Sequence, residues 1–159
     1  MRSCPVARAP PKIPVNGTDI MDEASRSPPG VDPPAAILLG RRLLGFDPER
    51  RAASLAFLAT PEFANRHGSV QGGLLAAMLD SATGTALLAC LTAEFTAVTQ
   101  QLTTAFVKPA PIGPLRATAR VVAMDDRDAE VEAELTTPDG EVVARATARL
   151  RILRRKSGG

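Results

Sequence analysis

Few residues in the stretch NRHGSVQGGLLAAMLDSATG, Asn65 to Gly84, have side chains or backbones suited to chemistry: Asn65, Gln71, the pair Gly72-Gly73, and Asp80. With His67 taken as neutral, Asp80 is the one formally charged residue between Arg66 and Glu94. An ionised carboxylate on an apolar helix is costly unless it is paired, so it is usually removed or put to use. The uses open to it are those of a general base or a nucleophile. Glycines that open a helix bring backbone N–H groups with no intrahelical partner, at the positive end of the macrodipole. Their missing side chains also let another molecule approach the backbone closely.

These residues must be held by something. Gly72 to Leu91 is too long for a strand and is built of Leu, Ala, Met and small residues, which predicts the one long helix. It is apolar nearly all round, as expected of a helix covered by neighbours on every side. A membrane span is disfavoured by its three glycines, its Ser and Thr residues and above all Asp80, which alone costs about 2.5–3.5 kcal/mol on insertion scales. Ahead of it, Ala35 onward (AAILLGRRLLGF) predicts a short helix running into a first extended segment. FDPER predicts a turn, and Ala52–Ala59 a strand. Beyond it the period changes to two: Phe95–Lys108, Leu115–Met124, Ala129–Thr136 and 142–153 read as strands, with TPDG (137–140) a hairpin turn. The order predicts an α+β fold, a curved antiparallel sheet wrapped around one long central helix.

Length and composition set the outer bounds. A chain of 159 residues, 45% hydrophobic and 23% charged, is one soluble domain with mass enough for a core. A net charge of +2, no Trp or Tyr and only five Phe leave no basic, base-stacking surface for nucleic acid. One histidine and two unrelated cysteines, Cys4 and Cys90, give no disulfide framework and no zinc site, and Cys90 reads as a core thiol. The N-terminus has basic residues but no apolar h-region, so a cytoplasmic setting is expected. Residues 1–33 hold Pro5, Pro10, Pro11, Pro14, Pro28, Pro29 and Pro33 among Gly, Ser and Asp, a disordered or loosely attached arm; the domain proper is expected over 34–156.

The spacing Asn65, Gly68, Val70, Gln71-Gly72-Gly73 and then Asp80 resembles the signature of hotdog-fold acyl-CoA thioesterases, in particular the phenylacetate-degradation (PaaI-type) and 4-hydroxybenzoyl-CoA thioesterase group. The likeness extends over about 35–153, through TPEF before the motif, FVKPAPIG after the next strand and the closing DGEVVARATARLRIL. It implies the hotdog fold and hydrolysis of an acyl-CoA to free acid and coenzyme A, with no metal or redox cofactor. It further implies that the Gly72 amide and Asn65 side chain polarise the thioester carbonyl while Asp80 acts as base or as nucleophile. Relatives carry a hydroxyl near the carboxylate, for which Thr99 is the best match and Thr83 and Thr85 are alternatives. The family builds each site across a homodimer, alone or within a tetramer. Gly72 and Asp80 are roughly 12 Å apart along one helix, at 1.5 Å per residue, which agrees with that.

One position departs from the pattern. Gln71 stands where the PaaI-type branch usually has His; it can donate and accept but cannot titrate. Gly73, Arg116 and Arg127 are expected to contact coenzyme A. The basic run Arg149, Arg151, Arg154, Arg155 and Lys156 also invites phosphate, although a charge run ending a chain is more often simply solvated. Plainer readings stand beside these: Asp80 as a solvated or Arg-paired carboxylate, Asn65 as an Asx-turn residue, Gln71 as turn scaffold, His67 as a loop residue. The alternative function is a non-catalytic acyl-CoA sensor on the same fold. An enoyl-CoA hydratase is disfavoured, because its relatives place a His shortly after the Asp, and here the only His precedes it by thirteen positions.

Overall fold

The structure, a computed structural model, describes residues 32–155. All but the last two residues of the Pro-rich arm therefore lie outside the described residues. Helix α1 (Pro34–Leu38) leads into β1 (Arg42–Asp47) and β2 (Ala52–Ala59). A single 3-10 turn (Pro61–Phe63) and a loop precede helix α2 (Gly72–Leu88). Four strands follow: β3 (Phe95–Phe106), β4 (Gly113–Met124), β5 (Asp128–Thr136) and β6 (Val142–Arg154).

The six strands form one sheet in the order β1-β2-β4-β5-β6-β3, every neighbouring pair antiparallel. Helix α2 lies across one face of it, the arrangement of a hotdog fold. Strict alternation decides which side chains meet the helix: Leu115, Ala117, Ala119 and Val121 of β4 are buried, while Arg116, Thr118 and Arg120 between them are exposed. In β6 the inward positions are Ala144, Ala146 and Ala148, small enough to let the helix backbone come close. Leu75, Met78, Leu79, Ala82 and Ala86 fill that interface from the helix side. Each fully buried Leu or Met there contributes about 1.5–3 kcal/mol by leaving water.

Two expectations need correction. The helix ends at Leu88 rather than Leu91: the Cys90 and Leu91 amides turn back to the Leu87 and Leu88 carbonyls, tightening the chain toward β3 although Ala-Cys-Leu continues the apolar run. Nor is α2 covered on every side. Among the described residues Gly73 is exposed and Ala76, Ala77, Asp80, Ser81 and Gly84 are half-buried, so an apolar composition conceals one open face of small residues. Among the described residues no helix is long and apolar enough to cross a membrane.

Candidate active site

Asp80 sits in the middle of the open face of α2, half-buried. Among the described residues no Lys or Arg is ion-paired to it. Its one side-chain partner among the described residues is Thr99, whose Oγ1 donates to Asp80 Oδ1 at 2.8 Å. The other two candidate hydroxyls are spent on the helix itself: Thr83 Oγ1 donates to the Asp80 carbonyl at 2.9 Å and Thr85 Oγ1 to the Ser81 carbonyl at 2.7 Å.

Thr99 reaches the carboxylate because β3 is irregular. The β3–β6 ladder pairs Thr99 with Leu150 and Gln101 with Arg149, so Gln100 is an extra residue, a β-bulge. Before it Ala97 and Thr99 face the helix; after it Leu102, Thr104 and Phe106 do, opposite Ala148, Ala146 and Ala144. Were Gln100 paired in a regular ladder like its neighbours, one of these two sets would point outward.

Two helical turns back, Gly72 is the first residue of α2, with Gln71 as its N-cap. The Gln71 side chain is exposed and makes no capping bond, leaving the first amides of the helix without a side-chain partner. Its backbone amide is tied to the Phe63 carbonyl at 2.8 Å. A Cβ added at Gly72 would come within 3.2 Å of the Phe106 ring, whereas one at Gly73 would meet nothing within 4 Å. Space therefore opens beside the start of the helix.

Asn65 organises the loop leading there. Its Oδ1 accepts from the His67 and Ser69 amides at 2.8 and 3.3 Å, and its Nδ2 donates to Ser69 Oγ at 2.9 Å. This is the Asx-turn geometry; it leaves one Nδ2 proton uncommitted. His67 is exposed in the same loop and accepts from Arg66 Nε at 3.1 Å. Arg116 lies on the outer face of the sheet, away from α2, and Arg127 is exposed in the β4–β5 turn at the far end of β4. The structure does not bring these two together, and among the described residues neither is ion-paired. Arg151 and Arg154, by contrast, are held by Asp128 and Glu94, at 2.7 and 2.8 Å.

Arg41 escaped the reading of the sequence. Its guanidinium donates to Ser81 Oγ at 3.3 Å and Thr85 Oγ1 at 3.5 Å, tying the segment before β1 to the flank of α2 opposite β3. Nothing in the local pattern marks it, since contacts between positions 41 and 81 arise only from the topology. Among the described residues no cluster of three or more His, Cys, Asp or Glu could hold a metal ion.

The pattern of the thioesterase superfamily matches residues 67–144. A phenylacetic acid degradation-related protein from Ralstonia eutropha JMP134 is 36% identical, with a TM-score of 0.73 over 76% of this chain and 92% of that one. AziG of S. sahachiroi is 27% identical, with a TM-score of 0.71 over 77% of this chain and 98% of that one. The PaaI protein of the E. coli phenylacetic acid degradation operon shares the fold at 24% identity, with a TM-score of 0.69 over 80% and 87% of the two chains. No curated protein matches this sequence.

Proposed function

The chain belongs to the thioesterase superfamily and is a thioester hydrolase, and from that premise we propose that it hydrolyses acyl-CoA with Asp80 as general base. The Thr99–Asp80 hydrogen bond is the observation that supports this reading. With Oδ1 accepting from Thr99, Oδ2 is left to take a proton from water, and the lone pairs of the Thr99 hydroxyl can hold that same water. Water then adds to the thioester carbonyl carbon while its proton passes to Asp80. The oxyanion forms against the Gly72 amide and the spare Nδ2 proton of Asn65. Collapse expels the coenzyme A sulfur, which takes the proton back from Asp80 and leaves as thiol beside the free acid. Gln71, at the mouth of the helix, offers a neutral donor and acceptor to the substrate.

Two copies are needed. Asp80 and Gly72 are separated by eight residues, roughly 12 Å along one helix, too far to serve one carbonyl carbon. A dimer in which each carboxylate faces the partner's helix start resolves this. Strand β3 suits such a junction: it is a twelve-residue sheet edge that exposes Val98 and Phe106, an edge isolated proteins usually cover. Arg127 and Arg116, free of ion pairs among the described residues, are the cations proposed to meet coenzyme A phosphates, and side-chain-free Gly73 lets the substrate pass.

The test is a panel of acyl-CoAs with thiol detection on wild type and Asp80→Ala. Thiol release that Asp80→Ala abolishes supports the reading. Tight binding without thiol release in wild type would show a sensor instead.

A further inference from the structure

We infer that Phe106 determines specificity at the acyl α-carbon, admitting unbranched acyl groups and rejecting α-branched ones. The inference rests on the proposed function, since it takes the Gly72 amide as a donor to the thioester carbonyl. Phe106 is the last residue of β3 and faces α2, opposite the fully buried Ala144. Yet it is 56% exposed, because what it covers is only the start of the helix. Its Cζ is 3.2 Å from the place a Gly72 Cβ would occupy, with both Cε atoms at 3.5 Å. The ring thus stands in the first shell of atoms around Gly72, with open space beside it over Gly73.

A carbonyl oxygen accepting from the Gly72 amide brings its carbon, and the α-carbon attached to it, into that same shell. A methylene at the α-carbon can lie flat along the ring. A second carbon substituent must displace the ring or tilt the carbonyl away from its donor, and loss of that alignment is felt in the transition state. On the helix side Gly73, Ala76 and Ala77 carry at most a methyl, so the ring, held by β3 against Gly72, is the bulky group placed to sense the branch.

Isomeric substrates isolate the effect, because n-butyryl-CoA and isobutyryl-CoA have the same carbon count and differ only in the branch. Wild type is expected to favour n-butyryl-CoA by about tenfold or more in kcat/KM, the scale on which apolar pockets discriminate single carbon groups. Phe106→Ala should bring the ratio close to one by raising the isobutyryl value, with Phe106→Leu between. The same ratio in wild type and Phe106→Ala overturns the inference. A second measurement separates it from the hydrolase reading: calorimetric binding of S-(2-oxopentyl)-CoA and its 3-methyl-2-oxobutyl isomer, thioethers that cannot be hydrolysed. Phe106-dependent discrimination in binding without turnover of any acyl-CoA sinks the hydrolase and keeps the wall. Turnover with discrimination indifferent to Phe106, in both assays, sinks the wall and keeps the hydrolase.

Discussion

Thr99 Oγ1 donates to Asp80 Oδ1 across 2.8 Å, joining the sheet edge to the centre of the helix nineteen positions earlier in the chain. A hydrogen bond to a charged group is typically worth about 1.5–3 kcal/mol. Thr99→Val should therefore lower kcat roughly tenfold to a hundredfold with little change in KM, while Thr99→Ser stays within a few-fold of wild type. Steady-state thiol release measures both. Asp80→Asn should cost about 10²–10⁴ in rate, the contribution usual for a positioned base, with no fall in Tm, since the carboxylate is half-exposed and lacks a cationic partner among the described residues. A large loss of Tm in Asp80→Asn would assign it a structural role.

The bulge makes its own prediction. Deleting Gln100 alone leaves Thr99 beside Gln101 in their observed pairing with Leu150 and Arg149, so Thr99 keeps facing the helix. Deleting Gln100 and Gln101 together, with Leu102 held opposite Ala148, turns Thr99 outward. Deletion of Gln100 alone should retain activity; the double-deletion variant should keep its circular dichroism spectrum and lose activity at least as far as Thr99→Val. Full activity in the double deletion would mean that the hydroxyl is dispensable.

These two residues also mark what a sequence can and cannot reveal. Ala52–Ala59 emerges at its observed bounds, and β4 to β6 emerge to within two residues, because one face is buried and the other wet, which writes a period of two into the composition. Asp80, Gly72 and Gly73 stand out because charge and glycine are rare inside an apolar run. The register of β3 does not: FTAVTQQLTTAF alternates acceptably in either phase, and only the ladder to β6 shows that Gln100 is extra. The open face of α2 is likewise hidden, since Gly, Ala and Ser suit a buried and a half-exposed position equally. The Arg41–Ser81 contact belongs to the topology and to no local pattern.

Two glycines outside the reacting groups should respond oppositely to alanine. Gly40 has φ +59° and a Cβ there would lie 2.8 Å from Leu58 Cβ, an atom fixed by the sheet. Gly40→Ala should destabilise by about 2 kcal/mol or more, from left-handed strain plus the clash. Gly84, in the interior of α2, has nothing within 4 Å of an added Cβ. Gly84→Ala should stabilise by up to about 1 kcal/mol through helix propensity. Urea unfolding of both variants checks the pair; a destabilised Gly84→Ala would show that a partner subunit packs closely on that face.

Gln71 separates the pH behaviour of this chain from that of a histidine-bearing site. It cannot titrate, and the sole histidine, His67, lies in the preceding loop bonded to Arg66. Wild-type kcat/KM should be flat from about pH 6 to 8, whereas Gln71→His should acquire a limb near the ordinary histidine pKa of about 6.5. A wild-type limb in that range that persists in His67→Gln would require another titrating group at the site.

Cys90, in the turn after α2, gives the last test, on stability. Burial pushes its thiol from 9.0 up to about 11, slightly opposed by the nearby Arg51 guanidinium. The proton is therefore held more tightly in the folded chain than in the unfolded one. Between these two values the unfolded chain has lost its proton and the folded chain has kept it, so stability falls as pH rises. The contribution is fully present below pH 9.0 and is lost as pH climbs through about 11, a change of about 3 kcal/mol at 1.36 kcal/mol per unit. Cys90→Ala removes the titration and leaves a small constant offset from the lost sulfur. Wild type should thus be the more stable at pH 8, and its advantage should shrink or reverse by pH 11 in paired denaturant curves. Parallel curves across that range would show that the thiol meets water in the native state.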